Sequence, residues 1–388
     1  MLLGLSATAQ ESISVGEVLV PTGRQAMMEV MFHFNEGHSY VSYQFNVNLP
    51  SGVSFVQDER GYVPVVLGDG QPASYFSKDM PVSSAIMKAF SNPSTAIGGN
   101  EGVLVCIPIQ VDQSVGVGQE LQGSLTGVEF ADITAVSHQF SDVSFTIKVT
   151  DKVILDENYS WVPFATDAAC DLKVIRSIKA NEWSTICLPF DMTEEQAKAV
   201  FGNDVKLACF DNYKVEKTEG SVTGITINFK DDDLSEGFAG NYPYLIKTSK
   251  EITEFETTAK KINPEEADET YSEGKGANKI TGHFIGTYRA NTLIPKNSLF
   301  INGNKFYYSA GKTKMKAFRA YFTLSEVLSE VAQAGARVTM NIGGESTDLQ
   351  PVNADLLDAA PYYDLQGRPV QHPNRKGLYI RNGKKEVK

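Results

Sequence analysis

The stretch VSYQFNVNL, residues 41–49, alternates without a break. Val41, Tyr43, Phe45, Val47 and Leu49 fall on one side, and Ser42, Gln44, Asn46 and Asn48 on the other. A period of two is that of a strand with one face in a core and one in water. The same phase runs through QAMMEVMFHF, 25–34, where Ala26, Met28, Val30, Phe32 and Phe34 share a face. It returns in SFTIKV, 144–149, which sets Phe145, Ile147 and Val149 against Ser144, Thr146 and Lys148. Between such runs lie the turn-rich clusters NLPSG, GDGQP and SNPSTAIGGN. Short alternating strands punctuated by Gly and Pro predict a β-sandwich over 11–150.

Further along, the polar stretch 151–170 reads as a connector, with Trp161 and Phe164 packing where two domains meet. A second β-rich module is expected over 171–345. Its strands are KLACF, GITINF, YPYLIK, SLFINGNKFYYS and KAFRAYFTL, with Asn302-Gly303 as a hairpin turn. Thr193 and Gln196 form a Thr-x-x-Gln capping box that opens a short helix, which Gly202 stops. A second short helix is read in LSEVLSEVAQAG, 324–335. Residues 346–388 are a linker and a C-terminal hairpin tail, with strands 378–381 and 384–388 around a type I′ turn at Asn382-Gly383. Tyr363, Leu365, Leu378 and Ile380 are its apolar anchors. The fold class is therefore mostly β, with one or two short helices.

The 388 residues carry 42% apolar and 21% charged side chains, an ordinary globular balance, and a net charge of −12. That charge argues against a nucleic-acid partner, whose phosphates it would repel. The tail runs the other way: from Gln366 to Lys388 there are seven Lys or Arg and one Glu. At the other end Leu2, Leu3 and Leu5 precede Ala7-Thr8-Ala9, which reads as a truncated signal peptide over 1–10 with a small-x-small cleavage site.

Sites for chemistry are few. Cys106, Cys170, Cys187 and Cys209 form no C-x-x-C pair; Cys187 and Cys209, in neighbouring strand-like runs, are the pair that could form a disulfide. The five histidines are scattered, and no nucleophile elbow or phosphate-cradling loop is present. Asp231, Asp232 and Asp233 offer carboxylates to calcium, without the spacing of an EF-hand, against the plainer reading of a solvated loop. No other cofactor is indicated. Aromatic stacking on a sugar ring would fall to Tyr40, Tyr43, Tyr75 or Phe76, which equally fit packing at sheet edges.

Two resemblances carry further expectations. GEVLVPTGRQAMMEVMFHF, YVSYQFNVNLPSGVSF, GNEGVLVCIPIQV and LQGSLTGVEFAD together resemble a cohesin-like jelly-roll domain over about 140 residues. The resemblance implies a flat-sided binding sandwich on a secreted protein. It implies no dockerin partner, because no residue here reports one. WSTICLPF, GNYPYLIK, IPKNSLFINGNKFYY, KAFRAYF and the tail YYDLQGRPV…KGLYIRNGKKEVK resemble the C-terminal module of secreted or surface proteins of Bacteroidetes. The tail is also similar to the final strands of type IX sorting domains, though shorter. The expectation is a secreted or cell-surface, non-catalytic binding or adhesion protein. Its sandwich would take a glycan or protein ligand, and its tail would contact the envelope or sorting machinery. The rival readings are an accessory or hydrolase acting on polysaccharide, and a structural spacer.

If Ala7-Thr8-Ala9 is cleaved, the mature protein begins at Gln10; N-terminal sequencing of envelope-fractionated protein that returns Met1 excludes the leader.

Overall fold

The computed structural model describes residues 11–349 except 93, 220, 275–278, 303, 325–326 and 329–336. Beyond 349 it describes the backbone of 352–353, 362–363, 369–370, 378–381 and 384–387. The proposed leader, 1–10, lies outside the described residues.

The first unit contains twelve strands: β1 Ser12–Val15, β2 Val18–Pro21, β3 Gln25–His33, β4 Tyr40–Asn48, β5 Val53–Phe55, β6 Val66–Leu67, β7 Phe76–Asp79, β8 Ile86–Ser91, β9 Glu101–Val111, β10 Glu120–Asp132, β11 Ser137–Gln139 and β12 Val143–Thr150. They form two sheets. One has the order β1-β3-β9-β5 with β6 added on β9; the other runs β2-β12-β10-β4-β8-β7 with β11 added on β10. The chain changes sheet between β1, antiparallel to β3, and β2, parallel to β12. The predicted faces meet between the sheets: Met28, Val30, Phe45, Val47, Ile147 and Val149 are all buried in one core drawn from residues 13–149. This is the expected β-sandwich.

One side chain departs from the predicted phase. Pairing of β10 with β4 jumps from Ala131–Ser42 to Asp132–Tyr40, skipping a residue. At that irregularity Tyr40 turns into the core, 1% exposed, and Val41 is left half-buried.

Residues 153–353, where described, form a three-layer arrangement. Its middle layer contains β15 Ser184–Ile186, β16 Lys206–Thr218, β17 Ser221–Asp232 and β18 Tyr244–Lys247, in the order β15-β18-β16-β17, continued by Arg337–Ile342 and Glu345–Leu349. Alternation along β16 sends Leu207 to one core and Ala208 and Phe210 to another. Along β18, Tyr244 and Ile246 go one way and Leu245 the other. A sheet covered on both faces reads as a continuous apolar run, which LACF and YLI are. One face is covered by a three-stranded sheet with the helix α1, Glu194–Phe201. The other is covered by a second six-stranded sheet that includes Ile280–Thr287 and Arg319–Thr323. The capping box on α1 forms as read: Gln196 N–H donates to the Thr193 hydroxyl at 3.2 Å and Thr193 N–H to Gln196 at 3.1 Å. Gly202 ends the helix at φ 99°, a conformation that favours glycine. Of the second expected helix, Leu324, Val327 and Leu328 are described and buried; Val327 and Leu328 are helical, and Leu328 N–H donates to the Leu324 carbonyl at 3.2 Å. Of the expected hairpin turn, Asn302 instead belongs to the ladder, where it pairs with Lys305; Asn304 takes φ 60°.

The stretch expected to be a connector is part of this architecture. Val153–Asp156 (β13) pairs in parallel with Cys170–Ile178 (β14) and puts Leu155 in the core. Just after it sits Glu157, 2% exposed. Its Oε2 accepts from Arg319 at 2.7 Å and from Arg176 at 3.4 Å, and its Oε1 accepts from Lys316 at 3.0 Å. Arg176 is fully buried and also donates to the carbonyls of Phe318, at 3.2 Å, and Thr185, at 2.7 Å. Three residues on, Ser160 donates from N at 2.8 Å and Oγ at 2.5 Å to Glu29 on β3. Tyr159 stacks on Trp161 with centroids 5.1 Å apart. The aromatics expected at a junction therefore do stand between the two sets of sheets.

Glu157→Gln leaves the guanidinium of Arg176 buried without its counter-charge, which costs about 3–5 kcal/mol. Burial pushes the Glu157 carboxyl up, but Arg319, Lys316 and Arg176 outweigh it and hold the pKa below the ordinary 4.5. Its contribution is then fully present above pH 4.5 and is lost as pH falls through the lower folded value. Urea unfolding of wild type and Glu157→Gln across that window should show the difference between them shrinking as the pH falls; a constant difference contradicts the assignment.

Candidate binding surface

The two outer faces of the sandwich differ in composition and cover. On the outer side of the five-stranded sheet, Cys106 and Pro108 of β9 are buried, and Met27, Glu29 and Met31 of β3 are half-buried. The strap around Ser160 lies here, with Cys106 Sγ 3.7 Å from Ser160 Oγ and Ser160 held by Glu29. Arg289, from the three-layer unit, reaches Asp69 at 3.4 Å. A cleft of about 430 Å³ remains between them, lined by His33, Asp69, Cys106, Ser160, Arg289 and Lys314.

The outer side of the seven-stranded sheet is open. Across β10, β4, β8 and β7 it presents a lattice of polar side chains that bond to each other. Gln44 donates to Glu129 at 2.8 Å, Asn48 to Thr126 at 3.1 Å and Ser124 at 3.2 Å, and Gln122 to Thr146 at 3.0 Å. Lys88 and Ser77 are exposed beside them. In this polar field stands Phe90, 51% exposed, paired across the sheet with Ser42 on one side and Ser77 on the other. Tyr75, just before β7 and 47% exposed, accepts from the N–H of Asn92 at 2.8 Å and so lies at the same end of β8.

Of the four aromatics read as ligand contacts, only Tyr75 is exposed. Tyr40, Tyr43 and Phe76 are core residues at 1%, 3% and 5% exposure. Tyr40 packs edge-on to Phe34, with centroids 4.7 Å apart, and donates to Glu11 at 2.7 Å. Tyr43 donates to the Leu104 carbonyl at 3.4 Å. Phe90 was missed, although the strand IMKAFS carries the signal: Met87 and Ala89 take the inward phase, leaving Phe90 in the polar phase with Lys88.

The three aspartates line one cleft but do not converge as ligands. Asp231 and Asp232 are consecutive on β17 and so point to opposite faces. Asp232 accepts from the Leu234 N–H at 2.8 Å and from the Cys209 thiol at 3.3 Å, and Asp233 accepts from Ser235 at 2.9 Å. Among the described residues no group of three His, Cys, Asp or Glu side chains is placed to hold a metal ion.

The Cys187–Cys209 disulfide is also corrected: all four cysteines are free thiols. Cys187 directly follows β15 and Cys209 is on β16, with β18 paired between them. Two strand spacings come to about 9.6 Å, beyond the reach of a disulfide. Cys209 shares a sheet face with Ile186, so its neighbour Cys187 points to the other face. Burial pushes the thiols of Cys106, Cys187 and Cys209 up to about 12, which leaves them protonated and unreactive at neutral pH.

Of the tail anchors, Tyr363 pairs with Ile380 and Leu378 with Val387 in a separate four-stranded sheet. Arg381 pairs with Lys384, and the return strand ends at Val387. The side chains of these anchors, Leu365 and the turn at 382–383 lie outside the described residues.

No family model matches the chain, and no curated protein matches it. Solved cohesin modules are similar to it. The sixth cohesin of scaffoldin B from Acetivibrio cellulolyticus, solved in complex with a dockerin, is 15% identical over 36% of this chain and 98% of its own, with TM-score 0.30. A non-cellulosomal cohesin from Archaeoglobus fulgidus is 17% identical over 37% of this chain and 92% of its own, with TM-score 0.29. The cohesin module of a family 33 glycoside hydrolase from Clostridium perfringens is 11% identical over 37% of this chain and 98% of its own, with TM-score 0.29.

Thiol titration of denatured, unreduced protein should count four free cysteines; a count of two restores the disulfide.

Proposed function

We propose that the chain is a non-catalytic, extracytoplasmic binding protein and that the outer face of its seven-stranded sheet takes a protein partner. The observation that carries this reading is the asymmetry of the sandwich. One sheet is covered by the chain itself, and the other is open, with an aromatic side chain 51% exposed among polar ones. The 13, 9, 8, 6 and 4 residues of β10, β4, β12, β8 and β7, at about 4.8 Å by 3.3 Å each, give roughly 600 Å² of sheet surface. That approaches the ~800 Å² each partner contributes to a standard interface. The polar lattice is pre-ordered by its own hydrogen bonds, so little side-chain entropy is lost on docking. Phe90 and Tyr75, exposed on the β7–β8 side of the face, are of the residue types that anchor such patches. An open sheet face of this extent matches the broad contact a protein makes better than the small concave site a sugar takes.

An extracytoplasmic setting is supported by the leader-like start and by the likeness of the second half to surface-protein modules. Among the described residues no helix is long and apolar enough to cross a membrane. On this reading the basic tail sheet serves retention at an anionic envelope surface.

The test is affinity capture from native culture, using the full chain and a Phe90→Lys/Gln44→Lys variant of unchanged unfolding midpoint. A protein retained by the first and lost by the second supports the face assignment. Identical bound sets remove it, and glycan-array binding abolished by the same variant replaces the protein partner with a sugar.

A further inference from the structure

A second cleft, of about 440 Å³, lies where the strap leaves the sandwich. One wall comes from the first unit: Arg24 and Gln25 at the start of β3, Gln110 near the end of β9, and Gln113 just beyond. The other comes from the strap, with Trp161 and Phe164. Gln25 and Gln110 are direct partners in the β3–β9 ladder, so their side chains stand side by side on the outer face. Among the described residues none of the three glutamine side chains has a hydrogen-bond partner in the protein, and the Arg24 guanidinium reaches only the Ala169 carbonyl, at 3.5 Å.

Three unpaired amides at one cleft are three donor and acceptor sets without a structural task. On the open face the amides of Gln44, Asn48 and Gln122 bond to neighbours. The second observation is independent. Trp161 is 8% exposed, and its Nε1–H is buried with no acceptor among the described residues. A buried, unpaired donor costs about 1–3 kcal/mol, and the residue that carries it lines this cleft. Phe164, half-buried, is tilted against the indole with centroids 5.8 Å apart and completes an aromatic wall.

We infer that this cleft binds a neutral oligosaccharide. The volume lies in the range of small-ligand sites, and such sites concentrate where two units meet. Amides pair with hydroxyls in both senses, and an aromatic wall faces the C–H side of a sugar ring. Arg24 is offset by Asp167, which also lines the cleft, so the wall favours neither an anion nor a cation. The site is separate from the open face around Phe90, and its occupancy does not depend on that reading. A ligand here touches both units and so stabilises them as one body.

The chain has two tryptophans, so a Trp183→Phe background leaves Trp161 as the only indole reporter. That protein is titrated with maltotriose, cellotriose, xylotriose and triacetylchitotriose. At least one should change the emission saturably, with Kd on the order of 1 mM or tighter. Gln25→Leu/Gln110→Leu keeps side-chain volume and removes the amides, and should weaken that binding roughly tenfold or more at an unchanged unfolding midpoint. Phe90→Lys should leave the titration unmoved. No emission change with any of the four sugars, or a titration that survives the double glutamine variant, overturns the proposal.

Discussion

The Glu157 carboxylate is the point on which the arrangement turns. It is buried against three cations, Arg176 and Arg319 on two different sheets and Lys316 between strands, and Arg176 is sealed from solvent. The interior tolerates a guanidinium there only because the carboxylate and four polar groups take up its donors: the carbonyls of Phe318, Ser177 and Thr185, and the Ser184 hydroxyl. This fixes the strap at one end, and Ser160 on Glu29 fixes it at the other. Only Asn158 and Tyr159 separate the two contacts. The segment between the units is thus braced rather than slack, and Ala290 N–H donating to the Tyr159 carbonyl at 2.7 Å braces it again.

That bracing decides which surfaces are available. The outer phase of β9 and β3 is apolar at Cys106, Pro108, Met27 and Met31, where the strap covers it and bonds to Glu29, and polar at Gln25 and Gln110, which are left at the cleft. The outer phase of β4 reads Ser42, Gln44, Asn46 and Asn48, and this polar phase faces water. The composition of each outer phase therefore matches its cover, as burial of apolar surface requires. Phe90 is the exception, an aromatic side chain kept in a polar phase that gains nothing from folding.

Much of this was legible in the sequence because alternation is a local signal. The strands around Phe45, Val30 and Ile147 and the cap at Thr193 follow from residues two to four apart. What was missed depended on distant partners. The pairing jump that turns Tyr40 inward is set by β10, some 90 residues away in sequence. The separation of Cys187 from Cys209 is set by β18, inserted between their strands from later in the chain. The polar stretch 151–170 reads as linker because its charged residue, Glu157, meets its counter-charges only in the folded chain.

The two surfaces left over place different demands on the fold. An open sheet face needs its own side chains pre-ordered, and the Gln44–Glu129 and Asn48–Thr126 bonds do this within the sandwich alone. The cleft at Trp161 needs two units held at a set distance, because neither wall encloses a ligand by itself. The first surface survives if the strap gives way; the second does not. The buried charges at Glu157 stabilise the core only modestly once desolvation is counted. Their larger effect is geometric: they hold Trp161 and Phe164 opposite Gln25 and Gln110, which an apolar contact, being non-directional, would not do as closely.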